Sequence, residues 1–441
     1  MNETVSEKLT RIENAVDRIR VKTDTAGDAI ETVASTVEAM KMPEVEAEQK
    51  DINFYDYDGF RIASWTLAEL DSKTELPANP RTHDGLIFQE WNWTLAQLKT
   101  NNDKVCVGAL YKTDDDTTRL YLDIPDDSNV VNIRLVVSSD TTLVIDWGDN
   151  NTTSYTETSA NPSVYTFTHT YTTKGKYIIS LDIPNFQEGQ GIAFQGENPS
   201  SGNKYNMFGE IIDGNSYVFN FLYKVELSGL FMNHLNKSAF NRLYNLRHFI
   251  CSTKADSPGA YTFYDCEGLE TIFLPQGVTA IGTYAFELCQ ALKYVSLPYL
   301  VEEIKTDAFR KCYVLKELTF PHNPNLIAIA DYASASCNVI STLIIPKYVA
   351  SIGAYAYAYD YGVPRITIPS SVTNIAANAF RNNYCLKELH FKGTNPPIVA
   401  NSNAFINLPT TCKIYVPTGR LSAYTSASNY PSSSSYTYIE E

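Results

Sequence analysis

Nowhere in the 441 residues is there a run of about 18 uncharged apolar residues, so no membrane-spanning helix is expected. The N-terminus lacks an apolar core of the secretory type, so no export signal is expected either. Positive charge is scarce, with 35 Lys and Arg against 50 Asp and Glu and a net charge of −15. That balance argues against nucleic acid and anionic membranes, which both need clustered cations. There is no C-x-x-C pair, and the six histidines show no metal-ligand spacing, so a zinc site is not expected. Nor is there a G-x-S-x-G, a P-loop or an H-E-x-x-H. Acidic runs such as Glu302-Glu303 and Asp114-Asp115-Asp116 read as solvated rather than as a glycosidase pair across a cleft. No catalytic residue and no cofactor are expected.

What the chain does have is a period. Leu269, Leu292, Leu315, Ile340, Val363 and Leu386 open successive units at steps of 23, 23, 25, 23 and 23 residues. The longer step coincides with His322-Asn323-Pro324-Asn325. Pro275, Pro298, Pro321, Pro346 and Pro369 hold the register, as do Ala285-Phe286, Ala308-Phe309, Ala356-Tyr357 and Ala379-Phe380. A fixed period in the twenties means one supersecondary unit stacked on copies of itself, each too small to bury its apolar face alone. Within a unit, Thr271-Ile272-Phe273-Leu274 suits a short strand that Pro275 ends. Val278 and Ile281 mark a second short turn, and Ala285-Phe286 begins a helical or 3₁₀ corner. Stacking at strand spacing, ~4.8 Å, produces ladders of Leu, of Phe or Tyr, and of Cys.

Of eight cysteines, Cys266, Cys289, Cys312 and Cys337 occupy one repeat position. Their side chains are expected to run parallel, which favours buried free thiols over disulfides. Two units depart from the pattern: Ala333-Ser334 stands where Ala-Phe belongs, and Tyr359-Asp360 replaces the cysteine, so stacking is expected to be irregular there.

The units LETIFLPQGVTAIGTYAFELC from Leu269, LKYVSLPYLVEEIKTDAFRKC from Leu292 and ITIPSSVTNIAANAF from Ile366 resemble the BspA-like leucine-rich repeats of bacterial, protist and phage surface proteins. The resemblance implies a solenoid over 227–418 and adhesion to proteins, cells or surfaces.

The N-terminus is a different object. Val5, Leu9, Ile12, Val16, Ile19, Thr23, Ala26, Ile30, Val33, Val37 and Met40 are spaced 4-3-4-3, which is a heptad run. β-Branched residues at d favour three or more strands, so residues 1–42 are read as a trimeric coiled coil. Its oligomerisation contacts are Val5, Leu9, Ile12, Val16, Ile19, Ile30, Val33 and Val37. A helical hairpin breaking at Thr23–Gly27 also fits, since helix propensity is weakest there. The stretch from Arg11 to Thr23 resembles N-terminal helices of phage tail and baseplate-associated proteins.

Residues 43–103 read as a small α+β module. Asp56-Tyr57-Asp58-Gly59 is a hairpin turn, Thr66 caps a short helix, and Trp91-Asn92-Trp93 leads into a second one from Thr94 to Lys99. The aromatic run fits a small core better than a sugar platform. The segments Asn53–Gly59 and Gly85–Leu95 resemble a module found beside such repeats in Gram-positive phage and gut bacterial proteins. Residues 104–185 carry short strands at sandwich spacing. Ile145-Asp146-Trp147-Gly148-Asp149, with His169-Thr170-Tyr171 and Gly175-Lys176-Tyr177, resembles a PKD domain, which implies a rigid spacer. Asp146 and Asp149 either bind calcium or, as is more common, accept backbone N–H bonds in the turn. Residues 186–226 read as an irregular cap, and 419–441 as a closing helix and a Ser/Tyr tail in which Tyr436–Ile439 adds one strand.

The fold expectation is multidomain: N-terminal α-helical coiled coil, small α+β module, all-β PKD-like sandwich and C-terminal solenoid. The functional expectation is a non-enzymatic phage tail fibre or receptor-binding protein, trimeric, located in the virion and assembled in the host cytoplasm. Its partners are then virion tail, baseplate or capsid proteins through the N-terminus, and a host surface protein or glycan. The receptor contacts are placed on Tyr284, Tyr299, Tyr332, Tyr355, Tyr359 and Tyr361, with Tyr357 assigned to the core. A bacterial adhesin and a decoration protein without a receptor are the alternatives.

Overall fold

The computed structural model describes residues 51–161, 163–188, 190–194, 221–228 and 235–441. The heptad run of residues 1–42 lies outside the described residues, as does most of the expected cap at 186–226.

The module begins with strands β1 (Ile52–Tyr55) and β2 (Arg61–Trp65), paired antiparallel around the Asp56–Gly59 turn. Helix α1 (Leu67–Leu70) starts at Thr66, whose hydroxyl accepts from the Glu69 amide while Glu69 returns the bond. Strand β3 (Leu86–Trp91) and helix α2 (Leu95–Asn101) follow, the helix held by the same box between Thr94 and Gln97. Strand β4 (Val105–Thr113) runs parallel to β1 and completes a sheet in the order β2-β1-β4-β3. The module therefore extends past the expected boundary at residue 103. The apolar run after Lys104 is buried on both sides, between its own sheet and the solenoid, which a reading of alternation alone assigns equally well to the sandwich.

The sandwich comprises β5 (Thr118–Ile124), β6 (Asn129–Val137), β7 (Thr142–Asp146), β8 (Thr152–Thr156), β9 (Val164–Tyr171), β10 (Gly175–Asp182) and β11 (Ile192–Phe194). One sheet runs β5-β10-β7-β8 and the other β11-β6-β9. The first does not end at β5. Strand β12 (Leu222–Glu226) pairs antiparallel with β5 and parallel with His248–Ile250, the first described repeat strand. The solenoid continues from there, so a single sheet of 14 strands runs from β8 to Thr437–Glu440. The exposed core at the head of a repeat array is thus covered by the sandwich, and one apolar cluster passes from Leu120 to Tyr424 without a break.

Each described repeat contributes one strand to this sheet, and the six from Thr271–Phe273 to Glu388–Phe391 add a two-residue strand, such as Ala280–Ile281, to one of two short parallel sheets. The six unit-opening residues are all buried, and like residues stack on like. Phe240, Phe263, Phe286 and Phe309 lie face to face at 5.3, 5.2 and 5.3 Å, with ring planes within 9°. Cys266, Cys289, Cys312 and Cys337 are free and buried. Each thiol donates to the carbonyl of a Phe in the preceding turn, at 2.9 to 3.3 Å.

The two departures do not interrupt the stack, because they compensate each other. Asp360 takes the cysteine position and accepts from the Cys337 amide at 2.9 Å, and its own amide donates to Asn383, the next residue of the column. Ser334, in the Phe column, leaves room for the Asp360 carboxyl and the Tyr357 ring, and Phe380 and Phe405 then resume the ladder at 5.7 Å. No cation faces Asp360, so burial drives its carboxyl well above the ordinary range. A carboxyl whose folded value is raised contributes stability below its unfolded value and loses it as pH rises through the folded one. Asp360→Asn keeps the acceptor and removes the charge. It is expected to raise stability at pH 7 by roughly 1–2 kcal/mol and to flatten the fall in melting temperature as pH rises from about 4 to 7. Thermal melts of both proteins across that range check this.

The module docks on the outward face of the solenoid sheet. Asn92, fully buried, donates to the Leu274 carbonyl and the Ser296 hydroxyl at 3.0 and 2.8 Å, and its oxygen accepts from the Gly108 amide. Trp93 donates to the Leu297 carbonyl at 2.9 Å. Tyr55 stacks on Tyr294 at 4.5 Å, and Thr271 donates to the Tyr57 carbonyl. The two extra residues of the long repeat belong to this contact: the His322 amide donates to Asn101, the last residue of α2, at 2.8 Å. Gly108 admits the ring of Phe273, since a Cβ there falls 2.2 Å from it. Gly108→Leu is therefore expected to lower stability by about 1–3 kcal/mol and to open α2 to proteolysis. An unchanged melt and cleavage pattern contradicts this docking.

Candidate functional surface

The solenoid offers three surfaces, and the chemistry of each follows from the repeat. The first is the outward face of the long sheet. Its early rows, Phe273, Ser296 and Tyr294, are covered by the module. Its later rows are polar and lie beyond the module, although His390 itself is buried among its neighbours. His390 stacks on Tyr415 at 4.2 Å and stands between Glu441 at 3.0 Å and Glu388 at 3.3 Å. Both carboxyls are held below their ordinary values: His390 acts first on Glu388, while on Glu441 burial opposes and the bonds from Lys392 and His390 prevail.

The second surface is the corner. Two residues per repeat adopt a left-handed backbone: Tyr261 and Asp265, Tyr284 and Leu288, Asp307 and Lys311, Tyr332 and Ser336, Tyr355 and Tyr359, Asn378 and Asn382. That conformation costs a non-glycine residue roughly 1–2 kcal/mol. It is sustained because it turns alternate amides toward the next repeat: Tyr261 donates to Thr283, Phe263 to Ala285 and Asp265 to Glu287. The first residue of each pair forms an outer column. Tyr261 and Tyr284 stack at 4.7 Å, and Tyr332 and Tyr355 stack at 4.7 Å with planes 4° apart. Between the pairs sits Asp307, bound to Arg310 at 3.1 Å, and the Arg310 guanidinium covers Tyr332 at 4.9 Å. Burial, and then Asp307, pushes the Glu287 carboxyl up beside them.

This geometry defines what the column can contact. Within each pair the facing rings cover one another, and Arg310 covers the other face of Tyr332, so hydroxyls, ring edges and the outer ring faces are what the column presents. The third surface, the turn before each long strand, repeats the theme with Tyr361 and Tyr384 at 5.6 Å.

The six tyrosines expected as contacts do not form one patch. Tyr284, Tyr332 and Tyr355 share the outer column, Tyr359 is the second left-handed residue of its corner, and Tyr361 pairs with Tyr384 on the neighbouring turn. Tyr299 stands apart from these: it is half-buried against the module, edge-on to Trp93 at 5.7 Å. Tyr357 is 1 % exposed and continues the Phe ladder, in keeping with its register. Tyr261 and Tyr384 were not singled out, although each stands one period of 23 from a chosen tyrosine. The eight expected oligomerisation residues, Val5 to Val37, lie outside the described residues.

In the sandwich, Asp146 accepts from the Gly148 amide at 2.9 Å, and Asp149 accepts from Asn151 and meets His169 at 2.7 Å. Burial raises the Asp149 carboxyl, but the bonds from His169 and Asn151 outweigh it and leave the group below its ordinary value. Both carboxylates thus serve the turn. Among the described residues, no three His, Cys, Asp or Glu side chains are grouped to hold a metal ion.

Comparison with known proteins agrees with the repeat geometry. The model of the BspA type leucine rich repeat region matches in six copies over residues 211–328 and 281–412. No curated protein matches the chain. Among solved structures, a leucine-rich repeat protein of T. pallidum is 26% identical, with a TM-score of 0.31, over 35% of this chain and 72% of that one. A leucine-rich repeat protein of Bacteroides ovatus is 15% identical, with a TM-score of 0.21, over 59% of this chain and 95% of that one. A leucine rich cell surface protein of Faecalibacterium prausnitzii is 16% identical, with a TM-score of 0.22, over 56% of this chain and 98% of that one. One strand and one corner per described turn fit this match, in which residues 211–412 are similar to the BspA type leucine rich repeat region.

Proposed function

We propose that the protein is a non-enzymatic attachment protein that recognises a macromolecule on a cell surface through its solenoid. The observation that carries this reading is the outer corner column: rigid, half-buried tyrosines at a fixed spacing, backed by a core that runs the length of the array. Such side chains lose little freedom on binding and supply both apolar edge and hydroxyl. The module closes the early part of the sheet face, which directs recognition to the corner and to the later rows near His390.

In its finer form, the protein is a phage tail fibre or receptor-binding protein. The heptad run of residues 1–42 would trimerise it and join it to the virion, and the module and sandwich would act as the spacer. Immunogold labelling of the parent phage particle tests this form, which fails if the chain is absent from virions. The family resemblance favours a second form, a bacterial cell-surface adhesin, which places the label on the cell envelope instead.

Whole-cell binding of the labelled protein, across a panel of Gram-positive and gut bacteria, tests the common claim. The native chain is expected to bind at least one strain. Tyr332→Ala with Tyr355→Ala is expected to weaken that binding by roughly tenfold or more, with the fold's melting temperature nearly unchanged. Equal binding by both proteins contradicts the corner as the recognition surface.

A further inference from the structure

Among the described residues, the free edges of the longer sheets are guarded, with one side excepted. In the module sheet, β2 carries Arg61 and pairs across a bulge, and β3 is bulged beside Glu90. The strand closing the solenoid carries Glu440, and β11 has only three residues. Short edges, charges and bulges are the usual means by which proteins keep sheets from pairing with other chains.

Strand β9 has none of them. It runs eight residues, Val164–Tyr171, and pairs with β6 in an unbroken register from Val164↔Val136 to Tyr171↔Asn129. Its other edge has no strand beside it among the described residues. Apart from His169, which Asp149 holds, nothing from Ser163 to Thr173 is ionisable near neutral pH. Strand β8, also uncharged, lies on the same side of the sandwich, since Tyr155 on β8 meets Tyr165 on β9 at 4.6 Å. The open side therefore spans both sheets and leaves Tyr155 and Tyr165 half-buried.

We propose that this side is an interface between two copies of the chain, joined by antiparallel pairing of β9 with its counterpart around a twofold axis. The residue pattern is self-matching. The face away from the core carries Val164, Thr166, Thr168 and Thr170, and the core face carries Tyr165, Phe167, His169 and Tyr171. Directly opposed residues in an antiparallel pair share a face. In the symmetric registers 166 against 168 and 166 against 170, the outer row opposes only β-branched residues and the inner row aromatic ones, except that Tyr171 meets Ser163 in the first. Such cross-strand pairs are the favourable kind, and no like charges meet. For a chain of net charge −15, two copies approach at low cost along a strand that itself bears no carboxylate, the neighbouring Glu157 being buried and bonded to Tyr155. Pairing continues the β11-β6-β9 sheet into a second copy and covers the half-buried tyrosines.

Light scattering on the full chain tests this. Thr168→Lys places like charges on the two strands, close to or at the twofold axis, on an exposed face that does not disturb the sandwich core. The variant is expected to show half the mass of the native chain, whatever residues 1–42 contribute to that mass. Thr168→Val, which keeps the β-branch, is expected to retain the native mass. Should Thr168→Lys fold poorly by circular dichroism, Thr166→Lys is expected to halve the mass in its place. Equal masses for the native chain and a folded lysine variant overturn the proposal. A partner other than a second copy would show itself in the same way, as a native chain whose mass the lysine leaves unchanged.

Discussion

The structure depends on one constraint, the hydrogen bond from each turn of chain to the turn above it. A repeat of this size cannot bury its own leucines, and its corner backbone is costly in isolation. Both difficulties disappear when the next repeat sits in register. Tyr261, Phe263 and Asp265 then find carbonyls on Thr283, Ala285 and Glu287, and Phe263 finds the ring of Phe286. The same constraint explains the cysteines. A small side chain able to donate weakly fits under the Phe carbonyl of the preceding turn, and a larger one does not. It also explains why Asp360 is tolerated: the residue keeps the bond to the Cys337 amide while Ser334 supplies space.

An array held this way has two exposed ends and one wide face, and the chain deals with all three. Strand β12 lets the sandwich sheet run into the repeat sheet, so the head of the array is not an edge. At the tail, Tyr424, Tyr430 and Tyr438 gather over Phe391 and Phe405, and the last strand adds to the sheet. The module closes part of the face through Asn92, Trp93 and the glycine at 108. Module, sandwich and solenoid therefore pack as one compact unit rather than as beads on a string.

How much of this was legible in the sequence follows from the range of the forces involved. The period, the prolines and the Phe and Cys columns are local and repeated, and their strands and ladders stand where expected. The capping boxes at Thr66 and Thr94 are equally local. What could not be read is contact between distant segments. Nothing near Gly108 announces Phe273, and nothing near Tyr299 announces Trp93. The insertion at His322 looked like a flaw in the repeat, yet it meets α2. Irregular stacking at Ser334 and Asp360 was expected from each departure alone, and only their proximity reveals that they offset each other.

Native-state hydrogen exchange gives the most direct test of a continuous, mutually supported stack. Amides of β5, β12 and the repeat strands from Thr271–Phe273 to Arg365–Ile368 should open together, with a single dependence on denaturant. Exchange of the sandwich strands in one transition and the repeat strands in a separate, weaker one would contradict it.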